Sequence, residues 1–269
     1  MGSSAPNGRP LAVVTGASSG VGLELARQFA QHEFDLVIAA EDADIARAAD
    51  DVRAEGVDVT PVLADLATFG GVEQLYDRAS AVHGGVIDAL AVNAGIGVSG
   101  VFTDRPLDEH LQLIALNITG GVHLAHRVMT GMVARGEGRV LFTSSIAATM
   151  PGPYAATYAA SKAFLASLAE GLRVEMQDRG VTVTALMPGP TETEFFDRAG
   201  MNDTRVGQMK HKDDPADVAR DGFEALMAGK DHVVAGSVKN RVQAAMNKAL
   251  PDRAAAAMHA AINKPESEG

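Results

Sequence analysis

The 269-residue sequence has no cysteine. That excludes disulfides, a thiol nucleophile and thiolate metal sites, and it suits a cytoplasmic protein. No apolar run approaches the length of a membrane span, and the first residues lack the basic and apolar blocks of a secretory signal. Basic runs are also missing, and the net charge is −11. A nucleic-acid footprint is therefore not expected, nor a membrane partner. His110, His123, His126 and His211 do not form a ligand set, so no metal is expected. There is no Pro/Gly-rich linker and no internal repeat. What remains is 46% apolar and 21% charged, the balance of a soluble globular domain with a substantial core.

Short β-rich runs alternate with amphipathic stretches along most of the chain. Predicted strands cover Leu11–Thr15, Asp35–Ala40, Val57–Leu63, Val86–Val92, Arg139–Thr143, Val181–Met187 and His232–Ala235. Between them, helices are predicted from about Leu23 to His32, Ala43 to Glu55, Thr68 to His83, Pro106 to Arg135, Ala155 to Arg179 and Pro215 to Ala228. Near-continuous apolar strands separated by helices imply an α/β fold with a doubly wound parallel sheet of about seven strands, covered on both faces. Residues 1–10 read as a disordered lead, 11–235 as one α/β domain, and 236–269 as a helical extension with a frayed end.

Two local patterns carry chemistry. Strand one runs into Gly16-x-x-x-Gly20-x-Gly22 and a helix, which turns backbone N–H groups and the positive helix end toward a phosphate. Further along, Tyr158 and Lys162 are four apart on a predicted helix and share a face. A free tyrosine has a pKa of about 10, and a fixed cation beside it favours the phenolate, pulling that value toward the working range of an acid-base group. Either pattern alone is commonly an ordinary turn or a solvated pair. The polar punctuation decides between these readings. Gly16–Gly22, Asp65, Asn93-Ala94-Gly95, Ser144-Ser145 and Pro188-Gly189 all follow strands, so they gather at one edge of the sheet, where ligands bind in such folds.

Taken together, Thr15-Gly16-x-x-x-Gly20-x-Gly22, Asn93-Ala94-Gly95, Asn117, Ser145, Tyr158-x-x-x-Lys162 and Pro188-Gly189-x-x-x-Thr193 resemble the short-chain dehydrogenase/reductase family, in order and spacing from Leu11 to about Ala235. The resemblance implies a Rossmann-fold catalytic domain over 11–235 with a substrate loop over 190–212, a nicotinamide dinucleotide, and hydride transfer between it and a carbonyl or alcohol carbon. It assigns Tyr158 as acid-base, Lys162 as the residue that lowers the tyrosine pKa and holds the nicotinamide ribose, and Ser145 as the hydrogen-bond partner of the substrate oxygen. Asn117 would position a water in a proton relay through Lys162. Helix N-cap and helix-interior roles are the ordinary alternatives for Ser145 and Asn117.

For the dinucleotide, the resemblance assigns Gly16, Ser18, Gly20, Val21 and Gly22 to the pyrophosphate and adenosine ribose. It gives Asp65 and Leu66 to the adenine, Asn93 and Gly95 to the loop beneath, and Pro188, Gly189, Thr191 and Thr193 to the nicotinamide. Asp65 equally suits a helix N-cap. Where members using NADP carry a cation, this chain has Ser19, Glu41 and Asp42, so NAD is favoured over NADP. The family's usual aspartate position is Ala40, which leaves Glu41 or Asp42 to reach the ribose, or else to begin a solvated helix. Ile96, Ala147, Tyr154 and Phe195, with Ser145, outline a mainly apolar substrate pocket. A homodimer or homotetramer built through the long helices is expected. A dinucleotide-binding sensor or scaffold on the same fold is the alternative to an enzyme.

Overall fold

The computed structural model describes residues 8–237, 240 and 252–264. Seven parallel strands form one sheet in the order β3-β2-β1-β4-β5-β6-β7. They are β1 Leu11–Thr15, β2 Asp35–Ala40, β3 Val59–Leu63, β4 Ala89–Val92, β5 Gly138–Thr143, β6 Val181–Met187 and β7 His232–Val234. The fold is the doubly wound α/β arrangement expected from the strand pattern. β1, β2 and β6 have the predicted limits, whereas β3 and β4 begin later because Val57 and Val86–Asp88 lie in the approach turns.

The period-two geometry of β1 shows why both faces need cover. Ala12 and Val14 enter a core roofed by α1 (Gly20–Gln31), α2 (Ile45–Arg53) and α8 (Pro215–Met227), where Phe29 packs edge-on against Phe34 and Phe223. Leu11 and Val13 enter the opposite core, under α3 (Phe69–Ser80), α5 (Gly121–Arg135) and α6 (Ala156–Met176). The strand order turns back beside β1, which has β2 on one side and β4 on the other. A crevice outside the carboxyl ends of these strands follows from that reversal.

The predicted helix Pro106–Arg135 is divided into α4 (Leu107–Ile114), a π-helical turn at Ala115–Gly120, and α5. Gly120 in this turn lies so close to the Leu66 carbonyl that a Cβ would overlap it. Such π turns frequently mark functional positions, and this one carries Asn117. α7 is a single turn, Phe195–Arg198, and a terminal helix covers Asp252–Asn263. The remaining tail and most of the predicted disordered lead lie outside the described residues.

Candidate active site

One cavity of about 310 Å³ opens at the carboxyl edge of the sheet. β1 delivers Thr15 to its base, where Thr15 Oγ1 donates to Ala91 O at 3.3 Å and accepts from Asn93 N at 2.9 Å and Ala94 N at 3.0 Å. This fastens the glycine turn to the Asn93-Ala94-Gly95 loop, and Asn93 Nδ2 adds a bond to Thr15 O at 3.1 Å. Thr15 opens the recognised motif, yet its coupling of the two loops depends on β1 and β4 being neighbours.

Three observations fit a dinucleotide here. Ser19 occupies the N-cap of α1 with no side-chain cap bond, leaving first-turn N–H groups available to an anion. Gly16 has a φ of 66° and brings the turn against the Ala94 backbone and the Asn93 side-chain amide, a conformation and approach that suit glycine alone. Asp42 receives a hydrogen bond from Ser18 Oγ on Oδ2 at 2.9 Å, while its Oδ1 is buried and accepts none among the described residues. A donor from a bound ribose would satisfy that oxygen.

The cavity is lined by Gly16, Ser18, Gly20, Val21, Gly22, Glu41, Leu66, Asn93, Gly95, Pro188, Gly189, Thr191 and Thr193, along with Ser145, Tyr158 and Lys162. Three expected site residues are not on its wall. Asp65 is exposed and its Oδ1 accepts from Ala67 N at 2.9 Å, stabilising the turn into α3, whose N-cap is Thr68. Tyr154 has a φ of 62°, and its carbonyl accepts from Gly100 N at 2.8 Å in the turn before α6. Asn117 is buried, with Oδ1 accepting from Ile96 N at 2.9 Å and Nδ2 donating to Ile96 O at 2.9 Å and Ser161 Oγ at 3.1 Å. Its amide clamps the loop after β4 to α6. The expected water-positioning role therefore does not follow from a free side chain.

Ile96, Ala147, Met150, Phe195 and Met201 form the apolar part of the wall, with the Phe195 ring 5.2 Å from that of Tyr158. Ser144 turns inward and donates to Lys162 O at 2.7 Å. Ser145, one residue on, accepts from Ala147 N at 3.1 Å and donates to Pro188 O at 3.4 Å, and it shares the cavity wall with Tyr158.

The expected electrostatics of the pair need correction. Tyr158 and Lys162 do share a face, with Nζ 5.8 Å from the ring centroid. Burial, however, pushes the Tyr158 phenol up to about 12, and the neighbouring Ser145 hydroxyl opposes this only in part. Burial also brings Lys162 down to about 8. Its Nζ donates to Thr143 O at 2.8 Å, so the four-carbon stem carries the cation past the phenol to the end of β5. Withdrawal from water disfavours both charged forms more than their proximity favours them.

Arg198 was not expected in this region. It lines the cavity from α7, with Nη1 3.9 Å from Asp42 Oδ2 and Nη2 donating to Glu194 Oε2 at 2.7 Å. Only folding brings it to Asp42, 156 positions earlier in the sequence.

With this geometry in place, comparison with known proteins gives a consistent result. The sequence model of the short chain dehydrogenase family matches residues 10–203. Oxidoreductase UcpA of Salmonella typhimurium is 32% identical over 216 residues, covering 80% of this chain and 79% of that protein. The structure of a short-chain dehydrogenase from Sphingobium yanoikuyae in complex with NADPH has a TM-score of 0.78 at 29% identity, covering 84% of this chain and 87% of the other. An NAD+-bound xylitol dehydrogenase shares the fold with a TM-score of 0.75 at 22% identity, over 85% and 98% of the two chains. The chain belongs to the short-chain dehydrogenase family, and it is an NAD(P)-dependent oxidoreductase.

Proposed function

We propose that the chain transfers a hydride between NAD(H) and the carbonyl or carbinol carbon of a small, mainly apolar substrate, with Tyr158 moving the proton. The observation that supports this most is that Ser145, Tyr158 and Lys162 share the wall of the cavity that also contains the uncapped glycine turn. When bound, the nicotinamide supplies or accepts the hydride. Ser145 and Tyr158 hydrogen-bond the substrate oxygen, and in reduction the phenol, held neutral by burial, donates its proton to that oxygen as negative charge develops. Lys162 contributes a positive potential behind the phenol and holds the ribose. Asn117 acts as a positioning residue by fixing Ile96 and Ser161. Ile96, Ala147 and Phe195 exclude water around the reacting carbon.

Cofactor choice rests on Asp42. Ser18 orients this carboxylate toward the glycine turn, whereas Glu41 is exposed. A 2′-phosphate would meet a fixed negative charge, so NADH is the expected partner. In a side-by-side titration followed by assays with a panel of ketones, wild type should bind NADH at least about tenfold more tightly than NADPH. Asp42→Ala should reduce or reverse that preference. NADPH preference in wild type, abolished by Arg198→Ala, would instead make Arg198 the phosphate reader and refute the NAD reading.

We place the protein in the cytoplasm, since no helix among the described residues is long and apolar enough to cross a membrane. We further propose a homodimer or homotetramer. Leu107 and Leu111 on α4 are 68% and 54% exposed, and Val122 on α5 and Phe164 on α6 also face outward. A second copy would cover this apolar face. Sedimentation should report a dimer or larger, and a monomer at micromolar concentration would refute the assembly.

A further inference from the structure

The cavity wall contains two polar side chains that hydride transfer does not use. The terminal helix Asp252–Asn263 places His259, Ile262 and Asn263 on the cavity wall. It is tied to the loop after α7 by a hydrogen bond from Val206 N to Ile262 O at 3.1 Å. His259 is 7% exposed and Asn263 3%. Asn263 Nδ2 lies 3.1 Å from His259 Nδ1 and 3.3 Å from its Nε2, with Pro153 O more distant at 3.5 Å. The His259 ring also packs against Gly152, in the turn that leads into the helix carrying Tyr158.

Met150, Phe196, Met201 and Val206 line the same cavity, Val206 through its backbone bond to Ile262. Burying an imidazole and an amide among such groups is costly unless their donors and acceptors are used. A leucine or phenylalanine at each position would close an all-hydrocarbon pocket at lower free energy. The charge of the group recognised can also be argued. Among the described residues, the Lys and Arg side chains lining the cavity are Lys162, beside Tyr158, and Arg198, paired with Asp42 and Glu194. Burial lowers the pKa of His259 and keeps its ring neutral at neutral pH. Lys212 lies outside this lining, with its Nζ 4.3 Å over the Phe196 ring, so among the described lining residues a carboxylate beside this pair would have no counter-ion other than Lys162 and Arg198.

We propose that His259 and Asn263 form a specificity subsite for an uncharged hydrogen-bonding group, a hydroxyl or a second carbonyl, separate from the reacting carbonyl or carbinol of the substrate. The substrate class is thus an apolar hydroxyketone, diketone or the corresponding diol. This inference rests on the oxidoreductase reading above.

The test is steady-state reduction, with the preferred dinucleotide, of a homologous series of linear methyl ketones and the ω-hydroxy counterpart of each. At a chain length that spans the pocket, kcat/KM should favour the hydroxy ketone by about tenfold or more, as for a site left with unpaired polar groups by the simpler analogue. His259→Phe and Asn263→Leu should erase that preference while keeping turnover of the parent ketone. His259→Gln, which fits beside Gly152 and retains donor and acceptor, should preserve part of it. Equal kcat/KM for both members at every length, or a preference that survives both apolar variants, would overturn the subsite while turnover of the parent ketones left the oxidoreductase reading intact. If dinucleotide binds but no ketone or hydroxy ketone is turned over, and no diol is oxidised in the reverse assay, the reductase reading fails and the subsite fails with it.

Discussion

Tyr158→Phe is expected to lower kcat by about two to four orders of magnitude in both directions, with dinucleotide affinity nearly unchanged. The variant keeps the ring beside Phe195 and removes only the proton carrier, and positioned acid-base catalysis is commonly worth that much. The pH profile gives an independent readout. The phenol is pushed up to about 12 by burial, so its proton remains available for reduction throughout the neutral and mildly alkaline range. Lys162 is brought down to about 8. Below that value its charge supports the developing alkoxide, and above it the support is lost as the ammonium deprotonates. Wild-type reduction should therefore be flat below pH about 8 and decline above it, whereas oxidation, which needs a deprotonated phenol, should rise with pH. Stopped-flow rates of hydride transfer in each direction would measure both limbs. A Tyr158→Phe enzyme within a few-fold of wild type would remove the tyrosine from the mechanism. A reduction rate unchanged well above pH 8 would show that the charge on Lys162 does not assist it.

Gly22→Val is expected to reduce dinucleotide affinity by about a hundredfold or more, equivalent to nearly 3 kcal/mol. A Cβ on Gly22 would overlap the Gly16 carbonyl and lie 2.6 Å from Asn93 Nδ2. The first clash is with backbone on the neighbouring arm of the turn, which no rotamer change relieves. The turn must open, which separates the first N–H groups of α1 from the Asn93 loop and disrupts the Thr15 and Asn93 bonds between β1 and β4. Overpacking of this kind typically costs about 1–3 kcal/mol, so the melting temperature should also fall. Circular dichroism and NADH fluorescence on the same samples separate loss of fold from loss of the site, and Gly22→Ala provides a milder variant if valine prevents folding. Wild-type NADH affinity in a folded Gly22→Val protein would show that the turn does not cradle the dinucleotide.

Much of the architecture was legible in the sequence because it follows from local pattern. The β-rich runs at Asp35–Ala40 and Val181–Met187 have the limits of β2 and β6, since a strand buried on both faces needs a mainly apolar segment. Gly16, Gly20 and Gly22 and the Tyr158–Lys162 spacing were visible for the same reason, as each depends on residues within about one helical turn. Their grouping at one sheet edge followed from strand polarity alone.

Properties set by distant parts of the chain were not legible. Four-residue spacing placed Lys162 over the face of Tyr158, but it could not show that both would be buried deeply enough to reverse the expected shift of the phenol. Nor could it show that Asp65 would cap a turn or that Asn117 would clamp Ile96. Arg198 reaches Asp42, and His259 and Asn263 reach the pocket, only after β6 and the terminal helix return to the carboxyl edge of the sheet. The sequence by itself determined the α/β alternation, the glycine turn and the chemical identity of the acid-base pair, because these depend on neighbours along the chain. Tertiary structure decided solvent access, the charge of buried groups and the lining of the substrate end, because desolvation and contact depend on what the fold brings together.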